Sequence, residues 1–354
     1  MEMEKNSSVG MNGLFTAGMA PFLTRTIHPV GQGAFYYEQL ELHKGDAFRV
    51  VYDCGTKSSQ KYLDREINDA FPLELGNDKN VIDILFVSHL DSDHIGGIST
   101  LKERCTVKHV VMPLLESDLD KKTEFLYWLG KASNVPHDKN TRQMYYSLIL
   151  EPEVYWKKDV KIIYVRPYDE NDKNPEKASV NPVDIDNLPQ DGRIVTVDSF
   201  QCIFKRMQLL SAEFIRWKYI PFNFDEKKRK KSFMAMVAKC PQLNPLPENL
   251  MDLFDDEPKI KALKRIYNRL EKKINGNSLM VYSGPEPTTV QCEGMLFQGN
   301  VQKSADERKK GAGCLYLGDV DLKNQNVVQL IKKMMPKEIL ELDMIQIRSQ
   351  KIFL

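Results

Sequence analysis

The chain has 354 residues, 42% of them apolar, with 50 Lys and Arg against 49 Asp and Glu and a net charge of +1. That length suits one large domain or two small ones, and the even charge excludes a globally basic nucleic-acid or membrane-surface protein. No apolar run reaches bilayer-spanning length, so no membrane association is expected. Nor does Met1-Glu2-Met3-Glu4-Lys5 open like a secretory leader.

In chain order, residues 25–55 are β-rich. Gly31-Gln32-Gly33 makes a turn, Ala34 to Tyr37 reads as a strand, and Phe48 to Tyr52 is a second that ends at Asp53-Cys54-Gly55. Residues 59–70 suit a short helix. Val81 to Val87 is an apolar strand, followed by Ser88-His89-Leu90-Asp91-Ser92-Asp93-His94-Ile95-Gly96-Gly97. Ile98 to Arg104 continues as a helix, with Gly96 and Gly97 freeing the backbone to turn into it. Val107 to Met112 is a strand stopped by Pro113.

The segment 114–275 differs in character. Leu115, Leu119, Leu126 and Leu129 mark a helix face, and 168–191 is a Pro-, Asn- and Asp-rich loop. Arg193 to Val197 returns to β, and Phe214 to Phe224 is aromatic. Ile260, Leu263, Ile266, Tyr267, Leu270 and Ile274 share a helix face between Pro258 and Asn275-Gly276. Strands at Ser278 to Tyr282, Cys314 to Leu317 and Leu342 to Ile347 follow. Six cysteines (Cys54, Cys105, Cys202, Cys240, Cys292 and Cys314) form no C-x-x-C pair, which points to free thiols in a reducing cytoplasm.

The loop at 88–97 carries the chemistry. His89, Asp91, Asp93 and His94 place two imidazoles and two carboxylates within six residues, a donor set suited to Zn²⁺, Mn²⁺ or Fe²⁺. A single His–Asp pair is ordinarily a cap or surface contact, and Asp93 alone could cap the next helix. Four such residues after a buried strand and before Gly-Gly outweigh that. Two other strands end in carboxylates, Tyr52 into Asp53 and Leu317 into Gly318-Asp319, and ligands gather beyond the carboxyl ends of strands. Alone, Asp53 reads as an ordinary turn residue, and Asp319 as equally turn or ligand. If the loop is extended, His89, Asp91 and Asp93 share one side and His94 diverges. Such divergence can serve two metals about 3.5–4 Å apart, with Asp319 able to bridge.

These residues resemble the metallo-β-lactamase-fold hydrolases, which carry His-x-His-x-Asp-His before a Gly-rich turn. Asp91 stands in the place of the second histidine, a variant similar to the hydrolase domain of the bacterial DNA-internalisation competence protein. Val30-Gly31-Gln32-Gly33 (with Ala34 where that branch has Asp), Tyr52-Asp53-Cys54-Gly55, Asn277-Ser278-Leu279 and Leu317-Gly318-Asp319 match the same branch in order. The resemblance implies an α/β fold, a four-layer αββα sandwich. It would form a single domain over 1–354, with its core at 25–112 and 276–347 and an elaboration at 114–275. It implies two divalent metals, Zn foremost and Mn or Fe next. His89 and Asp91 would hold one, Asp93 and His94 the other, with Asp319 bridging. Asp53, Gly96 and Gly97 would support the site, and Asp93 would also position the attacking water.

Two departures put the second metal in doubt. The family usually supplies another histidine between the loop and the bridging Asp, yet His109 lies in an apparent strand and His137 in a polar loop, and both read as packing or surface residues. After Ile347, where the branch reads Pro-His-His-Gly-Ser, this sequence has Arg348-Ser349-Gln350-Lys351-Ile352-Phe353-Leu354. The closing strand and helix of the family are missing too, which implies a truncated C-terminus and an exposed sheet edge that favours association.

The function these features suggest is a metal-dependent hydrolase, nuclease-like or phosphodiesterase in type. Lys227-Lys228-Arg229-Lys230-Lys231, preceded by Trp217, Tyr219, Phe222 and Phe224, offers charge and stacking for a nucleic acid or nucleotide. A solvated loop beside a packed strand is the plainer account of that run, and Asp225 and Glu226 dilute its charge. An ester, lactone or thioester hydrolase using the same site is one alternative. A catalytically impaired binding or sensing module is another, favoured by the lost histidines. A frame change near codon 348 would account for the expected truncation. Reading the coding DNA past that codon in every frame should reveal a His-His-Gly continuation, and its absence from all frames refutes the idea.

Overall fold

The computed structural model describes residues 23–41, 46–72, 79–132, 136, 138–168, 181–188, 192–208, 214–224, 227–270, 278–285 and 313–320. The expectations at Cys292, His137, Asn275-Gly276, Leu342 to Ile347 and the Arg348 end lie outside them. The strands are β1 Leu23–Ile27, β2 Gly33–Glu41, β3 Ala47–Thr56, β4 Asn80–Phe86, β5 Cys105–Pro113, β6 Lys161–Val165, β7 Val183–Asp184, β8 Ile194–Val197, β9 Ile203–Gln208, β10 Phe214–Phe224, β11 Ser278–Pro285 and β12 Cys314–Tyr316. The helices are α1 Gln60–Ala70, α2 Ser92–Ile95, α3 Ile98–Arg104, α4 Asp118–Lys131, α5 Lys139–Leu150, α6 Pro152–Tyr155, α7 Lys227–Ala238 and α8 Glu257–Arg269.

Among the described residues the strands form two sheets, ordered β1-β2-β3-β4-β5-β6-β8 and β12-β11-β10-β9-β7. β1 to β3 pair antiparallel, and β3 through β8 in the first sheet pair parallel. A parallel strand buried on both faces needs apolar side chains on both. β4 and the residue after it provide them: Ile84 and Phe86 face the second sheet, while Leu85 and Val87 face the helices. The core therefore has two main parts. One lies between the sheets, rich in Tyr52, Tyr219, Tyr316 and Trp217. The other lies between the first sheet and a helical layer that includes Leu63, Leu101, Trp128, Leu148, Phe233 and Leu263. The outer face of the second sheet carries a smaller cluster drawn from strands and loops, with Met280, Tyr282 and Leu317 at its centre.

The segment expected as an elaboration supplies framework strands. β6 and β8 extend the first sheet, and β7, β9 and β10 belong to the second. Three of its helices, α4, α5 and α8, start at side-chain caps. Ser117 Oγ accepts from Asp120 N at 3.1 Å, Asp138 Oδ1 from Thr141 N at 2.7 Å and Asp256 Oδ1 from Lys259 N at 3.0 Å. Leu126 and Leu129 are buried on α4 as expected, but Leu119 is 64% exposed and Leu115 precedes the helix. The basic run is the first turn of α7, not a loop. Lys230 pairs with Glu124 at 2.9 Å, and Arg229 lies 5.9 and 5.7 Å from the ring centres of Tyr127 and Tyr267. Trp217, Tyr219 and Phe222 are buried, so their rings fill the interior.

One buried carboxylate fastens the two sheets. Glu38 on β2 is 1% exposed. It accepts from Arg25 Nε at 2.7 Å, Ser283 Oγ at 2.7 Å, and the hydroxyls of Tyr219 and Tyr316 at 3.1 Å each. Burial opposes the charge on Arg25, but Glu38 outweighs it and raises the guanidinium pKa. Removing one partner of such a pair strands the other. Glu38→Ala should therefore cost about 3–5 kcal/mol by chemical denaturation, and a loss below about 1 kcal/mol would show the network to be incidental.

Candidate metal centre

β3 and β4 run parallel and deliver their ends side by side. Opposite β3, Phe35 pairs with Cys54 and Tyr36 with Tyr52, so Asp53 is the extra residue of a bulge. Its φ of +57° is left-handed, a conformation that costs a non-glycine residue about 1–3 kcal/mol and persists where surroundings enforce it. They do so here. Asp53 is 1% exposed, and its carboxylate accepts from Ser88 N at 2.7 Å, Ser88 Oγ at 2.6 Å and His94 Nδ1 at 2.8 Å.

These bonds orient the two imidazoles. A carboxylate only accepts, so the single hydroxyl proton of Ser88 goes to Asp53. Ser88 Oγ must then accept from His89 Nδ1, 2.9 Å away. His94 likewise donates from Nδ1 to Asp53. His94 is thereby held with Nε2 towards the site, the arrangement in which a second carboxylate orients a metal-binding imidazole, while His89 Nε2 donates to Asp91 Oδ2 at 3.0 Å. His94 Nε2 is buried and has no aligned hydrogen-bond partner. Asp319 Oδ1 lies 3.2 Å from it, and Asp319 Oδ2 lies 3.7 Å from His89 Nε2. His89, His94 and Asp319 each bring one ligand atom within 4.8 Å of the others, a group that could hold a metal. Burial opposes protonation of His94, yet Asp53 and Asp319 prevail and raise its pKa well above the usual value. That strongly cation-favouring field is what a divalent ion would meet.

The second sheet closes the site. Leu279 N donates to Ser88 O at 2.7 Å, and Tyr52 Oη donates to Leu279 O at 2.6 Å. Gly318, at φ +55°, makes the left-handed turn that precedes Asp319, whose N–H donates to Ser278 Oγ at 3.4 Å. A Cβ on Gly318 would lie 2.1 Å from that same oxygen. Ser278-Leu279 thus positions both the histidine loop and the late carboxylate.

The loop is not extended throughout. Residues 92–95 form one helical turn, α2, with Asp91 at its N-cap position but without a side-chain cap bond. Asp93 and His94 therefore separate by helical rotation, and Asp93 is not a cap. Gly96 and Gly97 are needed for a reason other than the one expected. Both have ordinary right-handed torsions. A Cβ on Gly97 would lie 2.7 Å from Leu63 Cδ2 and 2.8 Å from Cys54 Sγ, and one on Gly96 2.6 Å from Ser92 O. Gly55 matters in the same way, because its Cβ would meet Asp93 C and His94 N at 2.5 Å. Asp-x-Gly is thus a paired device: the Asp orients His94 and the Gly admits the backbone that carries it.

Asp91 and Asp93 face lysines. Lys131, at the end of α4, pairs with Asp91 Oδ2, and His89 Nε2 lies 3.0 Å from the same oxygen. Burial would raise the Asp91 pKa, but Lys131 and His89 hold it well below the carboxylate range. Lys57 Nζ is 2.7 Å from Asp93 Oδ1. Sequence analysis missed Ser88, Lys57 and Lys131. Ser88 directly precedes the first histidine and could have been found by asking what orients His89. Lys131 is remote in sequence and carries no local signal. His109 Nδ1 donates to Asp83 O at 2.8 Å, within the first sheet.

Residues 40–185 match the family model of the metallo-beta-lactamase superfamily. That span includes Asp53 and the whole histidine loop, whereas Asp319 rests on geometry. A beta-lactamase domain protein from Burkholderia ambifaria, known from its crystal structure, aligns at 19% identity over 39% of this chain and 44% of its own, with a TM-score of 0.21. The chain thus spans less than half of that protein, a likeness too slight to carry fold or function. No curated protein matches. The fold is mixed α/β, two sheets with helices, and is consistent with the metallo-β-lactamase fold. The matched family points to a metal-dependent hydrolase as the class. Among the described residues, no helix is long and apolar enough to cross a membrane.

Oriented imidazoles bind metal more tightly than unsupported ones. Asp53→Ala should weaken Zn²⁺ or Mn²⁺ binding about 10–100-fold in competition with a chromophoric chelator. Unchanged affinity would remove Asp53 from the site.

Proposed function

We propose that the protein is a metal-dependent phosphodiesterase, nuclease-like in its chemistry, acting in a reducing compartment. The observation that carries this is His94: Nδ1 held by a buried carboxylate, and Nε2 buried and facing His89 and Asp319. His89, His94 and Asp319 would hold the ion. Bound there, a divalent cation supplies Lewis acidity and lowers the pKa of water to about 7.

The rest falls to the chain itself. Asp93 Oδ accepts the proton of the attacking water, and Lys57, 2.7 Å away, holds that carboxylate in place. Lys57 and Lys131 bring two ammoniums to the site, complementary to an anionic phosphodiester. The Asp91 variant of the loop supports the same substrate class through its resemblance to the competence-protein branch. Cys54, Cys105 and Cys314 are buried as free thiols, which supports the compartment.

The metal-loaded protein should cleave bis(p-nitrophenyl) phosphate and a fluorescent single-stranded oligonucleotide. Asp93→Asn should lower kcat about 10²–10⁴-fold, the usual contribution of a positioned base. Cleavage of p-nitrophenyl esters without cleavage of either phosphodiester would favour the ester-hydrolase alternative. Metal binding without turnover of any of them would favour a binding module.

A further inference from the structure

We infer that the centre takes one divalent cation rather than two, and that Lys57 and Lys131 provide the remaining positive charge as fixed ammonium groups. This rests on the metal-dependent function proposed above and adds the nuclearity of the site. The five ligands expected for a two-metal centre do not converge as one set. Three of them, His89, His94 and Asp319, group together. The other two carboxylates are each engaged by an ammonium, Asp91 by Lys131 and Asp93 by Lys57.

Neither lysine is a surface tail that has swung inward. Their side chains are 16% and 27% exposed, and both backbones are anchored. Lys57 N donates to Gln32 O at 2.7 Å, flanked by Thr56 Oγ1 donating to Val30 O at 2.6 Å and Gln32 N donating to Ser58 Oγ at 2.8 Å. Lys131 follows Gly130, where a Cβ would come within 3.1 Å of Leu263 O, so α4 packs closely on α8 just before the lysine leaves the helix.

Charge leads to the same result. Asp53, Asp91, Asp93 and Asp319 carry four negative charges, and Lys57 and Lys131 return two. With neutral histidines as ligands, one divalent ion balances the cluster. A second would leave two positive charges uncompensated in a largely buried site, unless it expelled the lysines from both carboxylates. Asp91 is thereby an anchor for Lys131, in a position where the resemblance expects a ligand.

Metal stoichiometry tests this directly. The full chain, stripped of metal, reloaded with Mn²⁺ or Zn²⁺ and freed of excess by gel filtration, should hold one ion per chain by mass spectrometry. Its Mn²⁺ form should give the six-line paramagnetic resonance spectrum of an isolated ion. The double variant Lys57→Met, Lys131→Met should move towards two ions per chain and a spin-coupled spectrum. Two ions in the unaltered chain overturn the inference and leave the metal-dependent function standing. No bound ion overturns that function and the inference with it. A double variant that is folded by circular dichroism and still takes one ion overturns the role given to the lysines. If the variant does not fold, the count and spectrum of the unaltered chain decide alone.

Discussion

The site depends on one buried carboxylate held in a backbone conformation that aspartate ordinarily avoids. Asp53 ties together the end of β3, the backbone and hydroxyl of Ser88, and the inner nitrogen of His94. Each bond constrains the others. Ser88 can orient His89 only because its proton is committed to Asp53. His94 can present Nε2 only because Nδ1 is occupied. The bulge in β3 turns the carboxylate towards this junction, and strain of that kind at a ligand centre is tolerated where several bonds oppose its relaxation.

Around that junction the fold solves a packing problem with missing atoms. Gly55 and Gly97 let α2 and the start of α3 lie directly on β3, and Gly318 lets the late turn fold over Ser88. The inter-sheet core is held apart from this chemistry by a polar network of its own. Glu38 and its partners join β1 and β2 to β10, β11 and β12, so the sheet that carries the histidines and the sheet that leads to Asp319 keep a fixed relation.

Much of this was legible in the sequence. The continuous apolar run into His89 marked a buried strand, the family resemblance marked Ser278-Leu279 and Gly318-Asp319 as partners of the loop, and the apolar periodicity behind Pro258 marked α8. What was not legible depended on long-range geometry. Alternation along an extended 88–97 loop would put His89, Asp91 and Asp93 on one side, whereas Ser92 to Ile95 close a helical turn. Lys131 reaches Asp91 from a helix whose own periodicity speaks only of packing. The strands within 114–275 are short or aromatic, and their place in the two sheets comes from pairing with partners far along the chain. Lys227 to Lys231 carried a compositional signal for polyanions, yet Arg229 and Lys230 help pack α7 against α4 and α8.

The long sequence separation between His94 and Asp319 has a consequence for biogenesis. Contacts between remote segments form late, because the intervening loop must first be closed at an entropic cost. While the chain is being synthesised, the histidine loop leaves the ribosome long before the β12 turn exists. Early encounters with ions would meet two imidazoles and no Asp319, an incomplete and weaker chelate. An ion held by all three groups would therefore be selected only after β12 has paired with β11, from the pool present at that stage of folding.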